Sequence, residues 1–123
     1  MSLQSHVCEK CRQPGIYPNA TFMVYDGDAL VGKLHRFVVE DGQGLFYGKA
    51  IASDKSWLDY EAEQMQKSVP ALYPAAYEHP GRSITTSPPL PSLAAAEQAM
   101  HQQFAEVKAW LEQRTGQPIE IVE

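Results

Sequence analysis

The sequence predicts an α+β fold, an antiparallel β-meander of three strands packed against two helices, with a short edge strand and a short C-terminal strand, in the order βββα(β)αβ. Two observations lead there. Alternating stretches rich in β-branched and aromatic residues crowd into the first half of the chain, while apolar residues at helical spacing fill much of the second. Strands grouped early and helices grouped late disfavour the regular βαβ alternation of a doubly wound sheet. The chain has 123 residues, of which 44% are hydrophobic and 20% charged, the composition of one globular domain with its own core.

Residues 1–19 read as an irregular N-terminal segment ahead of a domain spanning 20–123. Cys8 to Asn19 holds Pro14, Gly15 and Pro18 and shows no periodicity. Met1, Ser2 and Leu3 have the composition of a leader added for expression and are given no structural role. Thr21 to Tyr25 is the first strand, and Asp26-Gly27-Asp28 the turn that follows it. Leu30 to Glu40 is the second. It places Val31, Lys33, His35, Phe37 and Val39 on one face and Leu30, Gly32, Leu34, Arg36 and Val38 on the other, so neither face is cleanly apolar. A loop at Asp41 to Gly44 leads into the third strand, Leu45 to Ala52.

Ser53 or Asp54 is positioned to cap a helix starting near Lys55, with Leu58, Ala62, Met65 and Val69 on its buried face and Pro70 as its stop. Residues 69–92 then form a proline-rich bridge: Pro70, Pro74, Pro80, Pro88, Pro89 and Pro91 are six of the nine prolines in the chain. A bridge of this length is expected to hold a short edge strand at Ser83 to Thr86 and to serve as a functional arm. Ser92 caps the longest helix, whose stripe of Leu93, Ala96, Met100, Phe104, Val107 and Leu111 runs for about five turns. Gly116 suits its C-terminal cap, Arg114 suits the negative end of its dipole, and Pro118 prevents continuation. Ile119 to Val122 is a last short strand.

The formal net charge is −5, and no basic run interrupts it; Lys10 with Arg12 and Lys33 with Arg36 are the nearest approaches. Both nucleic-acid backbones and anionic membranes are held by clustered Lys and Arg, so neither is the expected partner. No stretch nears the roughly 20 apolar residues of a membrane span, and the start lacks the apolar core of a secretory leader. The expected compartment is the cytoplasm.

Chemistry-bearing motifs are sparse. Cys8 and Cys11 form one C-x-x-C, and with His6 they make three candidate zinc ligands, since two thiolates at that spacing reach one tetrahedral ion. No second C-x-x-C completes the set of four that a structural zinc takes. A redox pair is a weaker reading, because such motifs sit at a helix N-terminus and this one precedes all predicted structure. The chain has no nucleophile elbow, phosphate-binding loop or H-E-x-x-H helix. His35 reads as a side chain at a sheet margin and His101 as a flank of the long helix's stripe.

What remains is recognition. Tyr73, Tyr77, His79 and Arg82 combine aromatic anchors and a guanidinium on a proline-stiffened arm, the mixture found at interface hot spots. Trp110, beside Leu111, is a second candidate for contact with another subunit. The leading expectation is therefore a non-enzymatic interaction domain, itself a homodimer, that binds a protein through its sheet edge, proline-rich arm or long helix, in the manner of an adaptor, chaperone-like or neutralising protein. The alternatives are a zinc-binding module built on His6, Cys8 and Cys11, and a small enzyme with a Cys or His centre.

Overall fold

The computed structural model describes residues 2–7, 19–66 and 80–122. Its elements are β1 (Leu3–Val7), β2 (Asn19–Asp26), β3 (Ala29–Glu40), β4 (Phe46–Asp54), α1 (Lys55–Gln66), β5 (Arg82–Thr86), α2 (Leu93–Thr115) and β6 (Ile119–Glu120). The strands form one mixed sheet in the order β5-β4-β3-β2-β1-β6. The predicted meander is its centre: β2, β3 and β4 pair antiparallel, and β5 adds antiparallel to β4. The α+β class holds, and so does the edge strand inside the proline-rich bridge.

The N-terminus departs from expectation. Regular structure begins at Leu3, not near residue 20, because β1 pairs antiparallel with β2 and parallel with β6. Leu3, assigned no role from sequence, is 1% exposed in the core. The insertion is tied down from both sides. The Leu3 N–H donates to the Pro118 carbonyl at 2.8 Å, and the buried Ser5 hydroxyl accepts from the Val122 N–H at 2.9 Å.

Helix α2 packs on the inner face of the sheet. Ser92 Oγ accepts from the Ala95 N–H at its start, and Gly116 closes its end at φ 74° with its N–H on the Glu112 carbonyl. The predicted stripe is the buried one: Ala96, Met100, Phe104, Val107 and Leu111. Phe104, Val107 and Leu111 meet Phe22, Val24, Leu34, Ala50 and Ala52 from the strands, together with Leu3 and Ile119, while Ala96 and Met100 cluster with Val38. Small residues on β4 let the helix come close. A Cβ on Gly48 would lie 2.5 Å from the Ala96 carbonyl oxygen and 2.6 Å from the Met100 nitrogen, so the helix backbone crosses the strand there. Alternation along β3 puts Gly32, Leu34 and Val38 inward, and Arg36 with them. Its guanidinium lies 4.8 Å from the Phe104 ring centroid and 5.1 Å from that of Phe22, so aromatic faces accommodate its charge while the residue stays half-buried.

Helix α1 lies on the opposite, outer face. Its cap is Asp54, whose Oδ1 accepts from the Trp57 N–H at 3.1 Å. The buried face expected for it is corrected. Trp57 is its core residue at 2% exposure, Leu58 is half-buried and Ala62 is exposed, while the Met65 side chain and Val69 lie outside the described residues. The large indole, one turn in from the cap, wins the sheet contact over a stripe of smaller residues one position later.

Candidate functional site

Strand alternation and register define the outer face. β2 presents Thr21 and Met23 there; β3 presents Lys33, His35, Phe37 and Val39; β4 presents Tyr47, Lys49, Ile51 and Ser53; β5 presents Arg82, Ile84 and Thr86. Three of these are cations and none is a carboxylate, in a chain of net charge −5. The apolar members are only half-buried, and Ile84 is 51% exposed. Among the described residues, α1 is the one helix on this face, and it touches β3 and β4 only at the end near Ser53.

Where α1 meets the sheet, a cleft of about 180 Å³ opens between Lys33, His35, Ile51 and Ser53 on the strands, Trp57 and Glu61 on the helix, and Arg82 on β5. Trp57 forms one wall, with the Arg82 guanidinium 4.7 Å from its ring centroid and the Tyr60 ring 5.5 Å away. Lys33 Nζ stands 3.9 Å from Glu61 Oε1, a long ion pair across the cleft. His35 Nε2 is 2.8 Å from Asn19 Oδ1, and its ring lies against Phe37 with centroids 4.6 Å apart. Burial pushes the His35 imidazole below its ordinary pKa, and the Lys33 charge adds to this, so it is neutral near pH 7. Its Nε2 is engaged by Asn19, which orients the ring as one wall of the cleft. The cleft has room for one carboxylate or one short side chain.

A second, larger cavity of about 290 Å³ lies at the other side of the sheet end, against Leu3, Val31, Asp26, Asp54 and Arg114. Two of its charges, Asp54 and Arg114, are engaged with each other. Asp54 Oδ2 accepts from Arg114 Nε at 2.8 Å and Nη2 at 2.6 Å, while its Oδ1 caps α1, so one carboxylate ties both helices to the end of β4. Burial opposes ionisation of Asp54. The hydrogen bonds from Ser56, Arg114 and the Trp57 N–H, with the Arg114 charge, outweigh it and hold the carboxyl below its usual value. Glu112 is likewise held low, first by the Ile119 N–H it accepts at 2.7 Å, against the cost of burial, then by Lys108.

The sequence-derived residues fall in different places. Arg82 lines the outer cleft. Trp110 is half-buried against the core, with the Arg114 guanidinium 5.1 Å from its ring centroid. His6 is exposed on β1, its ring 5.6 Å from that of Tyr25. Tyr73, Tyr77, His79, Cys8 and Cys11 lie outside the described residues. Among the described residues no three His, Cys, Asp or Glu side chains gather as metal ligands, and no helix is long and apolar enough to cross a membrane. His35 is on a central strand, not at a sheet margin, because β1 and β2 extend the sheet beyond it. No sequence motif marks Lys33, Trp57 or Glu61 as site residues. The one signal for Trp57 is an indole three residues after a capping Asp. The chain matches no family model, no curated protein and no solved structure.

Proposed function

We propose that this chain is a cytoplasmic, non-enzymatic interaction domain of adaptor or chaperone-like type, which receives a protein partner on the outer face of its sheet. The observation that carries the reading is the contrast of the two faces. The inner face is closed by a helix of 23 residues, whereas the outer one leaves Met23, Phe37, Val39, Tyr47 and Ile84 partly or largely exposed beside Lys33, Lys49 and Arg82. Partly exposed apolar surface beside a group of cations is what a complementary partner desolvates. A two-fold dimer through this face would set each copy's cations against those of the other, which favours a partner of different sequence.

The test is a titration. A partner captured with the chain is identified, purified and titrated calorimetrically against the wild type and two variants. Ile84→Asp is expected to weaken the complex at least tenfold, and Gln102→Ala, on the exposed side of α2, to leave it unchanged. Equal binding by the wild type and Ile84→Asp would overturn the reading.

A further inference from the structure

We propose that β5 is a self-association edge: a second copy of this chain lays its own β5 antiparallel beside it, about a two-fold axis through Thr85, and the two sheets become one. The inference goes beyond the outer-face reading, because an edge contact leaves that face open in both copies.

The two edges of the sheet are unequal. β6 is a strand of two residues, one of them Glu120, and a short charged edge offers a second chain little to pair with. β5 is longer, and its last three residues, Ile84 to Thr86, hold no charge and no proline. Ile84 is 51% exposed, and Thr86 is exposed with it. The ladder to β4 fixes which backbone groups point outward. The Ser87 N–H donates to the Gly48 carbonyl and the Asp54 N–H to the Gly81 carbonyl, both at 2.8 Å. Bonded positions recur every second residue, so Ser83 and Thr85 also turn their N–H and C=O groups toward β4. Those of Ile84 and Thr86 turn to the other side, where among the described residues no strand pairs with them.

That spacing is self-complementary. With the axis at Thr85, Ile84 of each copy lies opposite Thr86 of the other, and each such pair exchanges both of its backbone hydrogen bonds. On the outer face the exposed isoleucine then meets the exposed threonine, both β-branched. Pro88, just past the strand, falls opposite Arg82 of the other copy and brings no N–H, so the ladder ends without calling on Arg82. Cations stay apart, which a face-to-face dimer does not achieve. Lys49 on β4 is level with Thr86. Three strand spacings of about 4.8 Å and two residue steps of about 3.4 Å put it about 16 Å from Lys49 of the other copy, beyond a Debye length of about 8 Å. The helices clear one another as well. Each α2 crosses its own β4 at Gly48, the two β4 strands stand about 14 Å apart, and a helix is about 10 Å wide.

The test is sedimentation equilibrium of the full chain between about 10 μM and 1 mM, a range suited to a small interface. The expected result is a reversible rise from one chain mass to two. Thr86→Pro removes an outward N–H and none that β4 uses, so it is expected to preserve the circular dichroism spectrum while weakening the dimer at least tenfold. Thr85→Cys gives a second reading that does not depend on that variant. Facing residues of a non-bonded pair stand about 4.5 Å apart at Cα, within disulfide reach. Mild oxidation is therefore expected to link position 85 of one copy to position 85 of the other, as mapped by peptide mass. A single chain mass throughout the range overturns the proposal, as does a dimer that Thr86→Pro leaves unchanged or one in which position 85 stays reduced. The outer-face reading is decided separately by the Ile84→Asp titration, which is scored on the captured partner and not on chain mass.

Discussion

The two faces of one sheet are built by opposite rules. The inner face is assembled from residues that exclude water completely: Phe22, Val24, Leu34, Ala50 and Ala52 are all 0% exposed beneath α2. The outer face, on the same strands and offset by one residue, alternates hydrophobic, aromatic and cationic side chains that bury one another only in part. Strand alternation alone does not explain the difference, since both faces have it. A helix long enough to cover three strands and glycines small enough to admit it were put on one side, and a twelve-residue helix that reaches one end was put on the other. Burial on one side supplies stability, and incomplete burial on the other leaves apolar side chains in contact with water.

That comparison is breakable, and the largest effects are expected on the inner face. Phe104→Ala removes an aromatic ring packed on Phe22 at 5.4 Å and beneath the Arg36 guanidinium, and is expected to cost about 3–5 kcal/mol in urea denaturation. Gly48→Ala is expected to cost about 2–3 kcal/mol, since its methyl group meets helix backbone rather than a flexible side chain. A cost below about 1 kcal/mol for Gly48→Ala would mean that α2 does not cross β4 at that point.

Between the faces stands Asp54, which serves both helices. Asp54→Asn keeps a good cap for α1 but loses the charge-assisted bonds from Arg114, and about 1–2 kcal/mol is expected to go with them. Arg114→Gln, measured alone and together with Asp54→Asn, gives the coupling energy. A coupling near zero would show the pair to be solvent-exposed in effect.

On the outer face the expected effects are smaller and depend on pH. His35 has a lowered pKa in the folded state, so the unfolded chain binds its proton more readily; the stability it contributes is complete above the ordinary imidazole value of about 6.5 and declines as pH falls below it. Asp54 and Glu112, also lowered, contribute stability present above the ordinary carboxylate range and lost only on further acidification. Melting temperature followed from pH 7.5 to 5 is therefore expected to fall for the wild type and to stay flatter for His35→Gln. Equal slopes would place the titration elsewhere. The smallest effect is at the edge: Ile84→Thr is expected to change stability by less than about 0.5 kcal/mol while disturbing the outer face proposed to receive a partner.

Much of the architecture was legible because local signals were strong. Asp26-Gly27-Asp28, the cap at Asp54, the stripe from Ala96 to Leu111 and the Ser92 and Gly116 ends of α2 all carry chemistry that acts within a turn or two of chain. β1 escaped because its inward residues are Leu3, Ser5 and Val7, and a serine in the middle breaks the apolar alternation that marks a strand. Its hydroxyl is buried only because Val122, at the far end of the chain, donates to it. The buried face of α1 was misjudged because the four-residue spacing of Leu58 and Ala62 looked helical and amphipathic, whereas the sheet below selected Trp57.

The candidate site was barely legible. Arg82 could be named from its company on the proline-rich arm, but Lys33, Ser53, Trp57 and Glu61 come from three other elements that meet only through the pairing of β3, β4 and β5. By itself the sequence determined the fold class, the strands of the meander, both helices and the inward stripe of α2, because period, capping and turn chemistry are short-range. Only the tertiary structure decided that β1 joins the sheet, that the two helices lie on opposite faces, and that the outward positions of β3 to β5 bring three cations together. Those facts depend on register between strands distant in sequence, and register is set by the whole sheet at once.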